Sequence, residues 1–235
     1  MGILEDVYVE HRSRLAPLVV WTRTVETAGR GRVLPDGCMD LIWTGDELIV
    51  TGPDTVAHEA STDRPGTRYT AVRCAPGVGP DLFGLPADAL RDRRVPLADV
   101  WGAYRARLCT ERIAAAADPA ALLERLAADR LRDRDPDTAR FTRAVVGELR
   151  AGAGIATVAA GLNLSERQLH RRSLTAFGYG PKTLARVLRL ERALDLARAG
   201  FPAARVAADA GYADQAHFSR DVKALTGVPL RTLLT

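Results

Sequence analysis

Residues 206–220, with the sequence VAADAGYADQAHFSR, have the pattern of a helix-turn-helix. The alanine after the first valine lets two helices approach closely, the glycine at 211 tolerates positive φ in the turn, and Asp214 can cap the next helix. Residues 158–171, VAAGLNLSERQLHR, repeat the pattern with Asn163 in the turn and Ser165 as the cap. The first valines are 48 residues apart (158 to 206) and the caps 49 (165 to 214). The chain is therefore predicted to contain two helix-turn-helix units.

The helix that follows each cap is predicted to bury one side and to expose a row of long polar side chains. Leu169 and Phe218 are expected to face inward, while the donors on the opposite side suit guanine and adenine edges in a major groove. The predicted base contacts are Arg167, His170, Arg171, Gln215, His217 and Arg220. If the two units only packed helices together, these side chains would be an ordinary solvated face. The repetition of the whole pattern argues against that interpretation.

A long helix is predicted between the two units, from Lys182 to Ala199. Its 18 residues rise about 1.5 Å each and therefore span roughly 27 Å. Successive major grooves on one side of B-DNA are about 34 Å apart. Two recognition helices at the ends of this helix can thus enter neighbouring grooves if the DNA bends moderately.

Positive charge is concentrated in the same part of the chain. Residues 137–235 contain 15 Lys and Arg against 8 Asp and Glu, a net charge of +7, whereas residues 1–136 contain 18 against 21, a net charge of −3. Such asymmetry is typical of an attached nucleic-acid-binding module. Arg outnumbers Lys 31 to 2, which the nucleotide composition of a genome can also produce. The position of the charges therefore weighs more than their number.

Residues 141–235 resemble the double helix-turn-helix region of the AraC/XylS family of bacterial transcription regulators. The resemblance is carried by residues 165–171, 189–193 and 206–220, followed by Lys223 and Gly227. It implies sequence-specific promoter binding on double-stranded DNA by both recognition helices, with RNA polymerase as a partner. Ser173 stands where the family usually has an aromatic residue, and Pro229 lies one position early. The predicted phosphate contacts are Ser165, Arg172, Lys182, Arg186, Asp214, Ser219 and Lys223.

The first half of the chain is predicted to contain strands and then helices, which makes the fold α+β. The predicted strands are Cys38 to Trp43, Leu48 to Thr51 and Thr67 to Cys74, the first two forming a hairpin. The predicted helices are Pro86 to Arg91, Leu97 to Cys109 and Pro119 to Leu131. The charged, proline-containing segment 132–137 marks a boundary. We expect a sensor or dimerisation domain at residues 1–134 and the DNA-binding domain at residues 135–235.

The segment from Leu34 to Trp43 looks like the start of a half-cupin sensor domain, which is attached to some regulators of this family. The resemblance implies a small β-barrel that can enclose a small-molecule effector. The predicted lining residues are Trp43, Tyr69, Arg73 and Phe83, and the alternative for the aromatic ones is plain core. No cofactor is expected, and no metal, because His11 and His58 are isolated and the cysteines do not cluster.

Two alternatives stay open for the first domain. The leucine side of Pro119 to Leu131 can pair with a second subunit in a homodimer, or pack against its own barrel. The rival function is an enzyme or DNA-damage sensor that uses a reactive cysteine, for which Cys38 or Cys74 with His58 is the only nominal pair.

The expected location of the protein is the cytoplasm. No apolar run approaches the roughly 20 residues of a membrane span. Met1 to Val9 contains Glu5 and Asp6 and lacks the apolar segment of a secretory leader. The three cysteines, including Cys109, are odd in number and widely spaced, which argues against a disulfide framework.

Overall fold

The computed structural model describes residues 7–62 and 64–234. Residues 1–6 lie outside these ranges, and they make up most of the segment from which the absence of a secretory leader was predicted. The predicted α+β class is confirmed: strands dominate up to residue 74, and residues 136–234 are helical. The strands are β1 Val7–Arg12, β2 Leu18–Thr24, β3 Gly29–Val33, β4 Met39–Trp43, β5 Leu48–Thr51, β6 His58–Thr62, β7 Arg68–Cys74 and β8 Arg94–Pro96. The helices are α1 Gly79–Phe83, α2 Leu97–Trp101, α3 Ala103–Ala114, α4 Pro119–Leu131, α5 Pro136–Arg150, α6 Ile155–Gly161, α7 Glu166–Phe177, α8 Pro181–Arg198, α9 Ala203–Asp209, α10 Gln215–Thr226 and α11 Leu230–Leu234.

The strands form one six-stranded antiparallel sheet, in the order β1-β2-β7-β4-β5-β8, and a separate two-stranded ribbon of β3 and β6. The predicted hairpin is present, with Trp43 opposite Leu48 and the Thr44 amide donating to the Glu47 carbonyl at 3.0 Å. Among the described residues no strand pair joins the ribbon to the sheet, so the expected barrel takes the form of an open sheet with a ribbon. Strands β1, β2, β3, β6 and β8 were not predicted.

One face of the sheet packs against helices α1 to α4. Alternate residues of β4 and β5 point to this face, as the two-residue period of a strand requires. Leu123 and Ala127 of α4 are fully buried there, and Leu131 nearly so. The leucine side of α4 thus packs against its own sheet, the second of the two alternatives. Within the described ranges every helix is too short or too polar to cross a lipid bilayer.

Two predicted helices differ from the observed ones. The stretch Leu97 to Cys109 is divided into α2 and α3, because Gly102 has φ +83° and ends the first helix. Pro86 to Arg91 contains only a 3₁₀ turn at Ala87–Ala89. Helix α1 was not predicted. The predicted helix at 119–131 is confirmed with identical bounds.

The helical part has two cores that share α8. The first contains Phe141 and Val145 of α5 together with α6, α7 and the N-terminal half of α8. The second contains the C-terminal half of α8 with α9, α10 and α11. Leu34 packs against it from the sheet part, by which we mean the strands β1 to β8 together with helices α1 to α4. Because the 18 residues of α8 contribute to both cores, the helix holds the two helix-turn-helix units together.

Candidate nucleic-acid interface

The two recognition helices, α7 and α10, begin at the predicted caps. Ser165 forms a capping box: its hydroxyl accepts from the Gln168 amide at 3.2 Å, and the Gln168 side chain accepts from the Ser165 amide at 2.8 Å. Asp214 caps α10 by accepting from the His217 amide at 2.6 Å. Each cap satisfies amides that the first turn of a helix leaves without an intrahelical partner. The start of both helices is therefore fixed by local sequence.

The turns of the two units match at the level of single hydrogen bonds. The Leu164 amide donates to the Ala159 carbonyl at 2.9 Å, and the Tyr212 amide donates to the Ala207 carbonyl at the same distance. Between them lie the predicted left-handed residues, asparagine 163 with φ +54° and Gly211 with φ +81°. Ala159 and Ala207 are each 2% exposed, as expected where two helices approach closely. The internal repeat thus corresponds to two copies of one structural unit.

The inward and outward sides of α7 and α10 follow the predicted pattern. Leu169 and Phe218 are buried at 0% and 1% exposure. The exposed members of the predicted base-contacting set are Arg167, His170, Arg171, Gln215 and Arg220. His217 is half-buried, with its ring edge-on to Tyr212 at 5.2 Å between centroids. Its Nδ1 accepts from the Ala213 amide at 3.4 Å, so this imidazole is less free than the others.

Most of the predicted phosphate contacts lie at the surface, some with a local bond of their own. Lys182 and Lys223 are exposed at the start of α8 and near the end of α10. Arg172 is exposed, and its guanidinium lies 3.9 Å from the ring centroid of Phe141. The exposed hydroxyls of the set also bond locally: that of Ser165 belongs to the capping box, and that of Ser219 donates to the Gln215 carbonyl at 2.9 Å. Their contacts to DNA stay predictions.

Two of the predicted phosphate contacts have partners within the protein. The Nε and Nη2 atoms of Arg186 lie 2.9 Å and 2.5 Å from Oδ1 of Asp221, a carboxylate that is only 6% exposed. This arginine therefore ties α8 to α10. Asp214 is occupied as a helix cap, and its carboxylate would repel a phosphate at contact distance.

A further basic residue, Arg231, lies beside the predicted DNA contacts. With Gln215, Ser219 and Lys223 it surrounds an open cleft of about 610 Å³ whose floor includes Phe218. Sequence reasoning missed this residue, because the turn after α10 separates it from the repeated pattern. Its placement adds a candidate phosphate contact to the second unit.

The four predicted ligand-lining residues do not share one surface. Trp43 and Phe83 are 6% and 2% exposed and belong to the core between the sheet and α1 to α4. Trp43 is paired with Thr70 of β7, so Tyr69 and Arg73 project from the opposite face of the sheet. The prediction of a common lining is therefore wrong, because it ignored which side of the pleat each residue occupies.

The opposite face of the sheet contains a half-buried polar cluster around Arg73. Its Nε lies 3.2 Å from Asp40 and 3.6 Å from Asp36, and its guanidinium lies 5.9 Å from the ring centroid of Trp21. Burial raises the pKa of Asp40 to about 6, although the neighbouring guanidinium opposes the shift. Sequence reasoning identified Arg73 in this cluster but neither its two carboxylates nor Trp21.

The three thiols lie in surroundings that disfavour the thiolate. Burial raises the pKa of Cys38 and Cys74 well above the usual range and also raises the pKa of Cys109. A reactive cysteine needs the opposite shift. In the part of the chain that the structure describes, no three His, Cys, Asp or Glu side chains cluster as metal ligands would.

The sequence comparisons match both parts of the chain to protein families. A family model described as a helix-turn-helix domain matches residues 158–235, which cover both recognition helices. A model described as a domain of unknown function, DUF6597, matches residues 12–96, which contain most of the sheet. No curated protein sequence matches the chain.

The fold resembles that of ToxT from Vibrio cholerae over nearly its whole length. One structure of ToxT is 11% identical, with a TM-score of 0.51, and the alignment covers 93% of this chain and 98% of that one. ToxT from Vibrio cholerae O395 is 10% identical, with a TM-score of 0.50, and 93% and 97% of the two chains are covered. Both likenesses concern the fold. Residues 158–235 thus match a helix-turn-helix domain, and the chain joins this domain to an N-terminal sheet in a fold similar to that of ToxT.

Proposed function

We propose that the protein binds a promoter through both recognition helices, each in its own major groove, and that its N-terminal part senses an effector. The proposal rests on one observation: α7 and α10 each begin at a side-chain cap, follow a turn closed by an equivalent backbone hydrogen bond and expose a polar side, and one helix joins them. An 18-residue helix spans roughly 27 Å, somewhat less than one turn of B-DNA. Moderate bending of the DNA makes up the difference.

Direct base contacts are assigned to the exposed polar side of each helix. Arg167, His170 and Arg171 serve the first half-site. Gln215 and Arg220 serve the second, with His217 in a secondary role because part of its ring is engaged in the turn. Arg172, Lys182, Lys223 and Arg231 are assigned to phosphates, with the hydroxyls of Ser165 and Ser219.

The finer organisation is also proposed. We place the boundary at Arg134 and Asp135, in the loop between α4 and α5, with the sensor before it and the DNA-binding domain after it. ToxT has been solved with a naphthyl-substituted butenoic acid bound, which supports the expectation of a small-molecule effector here. RNA polymerase is the proposed partner at the promoter, a homodimer is the proposed form on paired sites, and the proposed location is the cytoplasm.

The test begins with selection of bound fragments from genomic DNA, which yields the operator. Arg220→Ala is then expected to lose about 1–3 kcal/mol on that operator, or roughly 5- to 150-fold in affinity, and little on random DNA. Arg171→Ala is expected to lose a similar amount through the other half-site. Arg107→Ala is the matched control, because this arginine is exposed on α3 of the sheet part. Equal losses on operator and random DNA would contradict base reading by these arginines.

Independent use of the two helices is tested on the DNA side. Changing one half of the operator is expected to abolish the effect of the arginine that reads it and to preserve the effect of the other. If a single half-site gives full affinity, the second helix does not read DNA and the proposal of two grooves is refuted.

A further inference from the structure

A cleft of about 500 Å³ lies where the sheet part meets α5. Its sheet side is formed by Pro17, Pro76 and Val78, and its helix side by Val146 and Gly147 with Arg143. Cavities of about 300 to 1,000 Å³ are typical of small-molecule sites. The cleft contains none of the four residues that the sequence predicted as a ligand lining.

The residues around this cleft include three arginines and no acidic residue. Two of the arginines are paired: Arg134 with Asp81, and Arg150 with Glu191 at 2.9 Å. The third, Arg143, is exposed, and its Nε donates to the Ala139 carbonyl of its own helix at 3.2 Å. Among the described residues Arg143 has no carboxylate partner, so its positive charge is available to pair with an anion in the cleft.

The remainder of the lining is mostly apolar. Proline and valine side chains form the floor, and a glycine at position 147 leaves space above them. A Cβ atom added to Gly147 would meet no other atom within 4 Å. An apolar floor beside an unpaired guanidinium fits a molecule with both a hydrophobic body and a negative group.

We propose that this cleft binds a small organic anion with an apolar body, whose charged group pairs with Arg143 and whose body covers Pro76, Val78 and Val146. The occupant contacts the sheet part and the first helix of the DNA-binding part at once. Its binding therefore biases the arrangement of the two parts, and by linkage DNA binding biases its affinity in return. This regulatory consequence rests on the proposed function, whereas the binding itself does not.

The first experiment measures binding to the full-length protein without DNA. The probe is 8-anilinonaphthalene-1-sulfonate, an aromatic anion that fluoresces in apolar surroundings. It is expected to saturate at one molecule per chain, and decanoate is expected to displace it at least about fivefold more effectively than decylamine or decanol. Equal displacement by decylamine and decanoate would overturn the assignment of an anion.

Variants locate the probe. Gly147→Leu fills the cleft and is expected to abolish probe binding while preserving the fold, because leucine favours a helix more than glycine does. Arg143→Gln is expected to weaken decanoate binding about fivefold. Arg140 is an exposed arginine of the same helix and is paired with Asp137. The control variant Arg140→Gln is therefore expected to leave decanoate binding unchanged.

The outcomes separate this proposal from the proposed function. Unchanged probe binding by Gly147→Leu would overturn the cleft as the site, whatever the protein does with DNA. A protein that binds the probe through the cleft but selects no operator would keep this inference and refute the proposed function. If the probe binds in the cleft and an operator is also selected, the affinity for the operator is then measured with and without decanoate.

Discussion

Replacing Arg186 by glutamine distinguishes a phosphate contact from an internal ion pair. The change leaves the carboxylate of Asp221, which is 6% exposed, without its guanidinium. Breaking a fully buried pair costs about 3–5 kcal/mol. The side chain of Arg186 is 39% exposed, so solvent screens the interaction and we expect a loss of about 1–3 kcal/mol. With a urea dependence of about 2 kcal/mol per molar, the unfolding midpoint falls by about 0.5–1.5 M.

The assay combines urea unfolding, followed by far-ultraviolet circular dichroism, with salt titration of DNA binding. Lys182→Gln is the matched control on the same helix: it is expected to keep the unfolding midpoint and to reduce the salt dependence by about one phosphate contact. Adding Asp221→Asn to Arg186→Gln is expected to recover part of the lost stability, because the unpaired charge is removed. An unchanged midpoint with a smaller salt dependence in Arg186→Gln would refute the internal role.

Three further changes test the geometry. Gly211→Ala is expected to destabilise the protein by about 1–2 kcal/mol in urea unfolding, because alanine strains at φ +81° although its Cβ meets no atom within 4 Å; an equally stable variant would refute a left-handed turn there. Gly77→Ala is expected to cost more, about 3 kcal/mol or above, and to speed proteolysis between the two parts, because its Cβ would lie 2.7 Å from side-chain atoms of Phe177 and Thr142; resistance equal to the wild type would count against this contact. The pKa of Asp40 is raised from 3.8 to about 6 in the folded state, so the folded state favours the protonated carboxyl. The stability that this protonated carboxyl contributes is full below about pH 4 and is lost as the pH rises through 6. The wild type, compared with Asp40→Asn, is therefore expected to lose about 1–3 kcal/mol between pH 4 and 7.5, and parallel unfolding curves would contradict this.

Features determined by neighbours in sequence were predictable. The caps at Ser165 and Asp214 and the left-handed turn residues act within a few positions, so local chemistry was enough to place α7 and α10. Features determined by distant partners were not. Nothing near Arg186 in the sequence indicates a carboxylate 35 residues away, and an arginine near the start of a basic helix looks like a phosphate contact.

The sheet was the less predictable part for a related reason. Strand β1 lies at an edge and is almost entirely exposed, so it lacks the alternation that identifies a half-buried strand. Strand β8 has only three residues. Even where β4 and β7 were predicted, the sequence did not tell which side of the pleat faces the helices. That choice places Trp43 in the core and Arg73 on the opposite face.

The sheet part holds both recognition helices by their C-terminal ends. Arg91 donates to the carbonyl of Gly178, the C-cap of α7, at 3.1 Å. Arg32 donates to the Thr226 carbonyl at the end of α10 at 2.8 Å, and the amide of residue 57 donates to the Leu225 carbonyl at 2.7 Å. Guanidinium groups at these ends complement the partial negative charge of the last turn. The N-terminal turns, which carry the predicted base contacts, are left exposed. The placement of the two helices is therefore fixed by α8 and again by the sheet part, and Arg32 of the ribbon makes one of the direct contacts to the second unit.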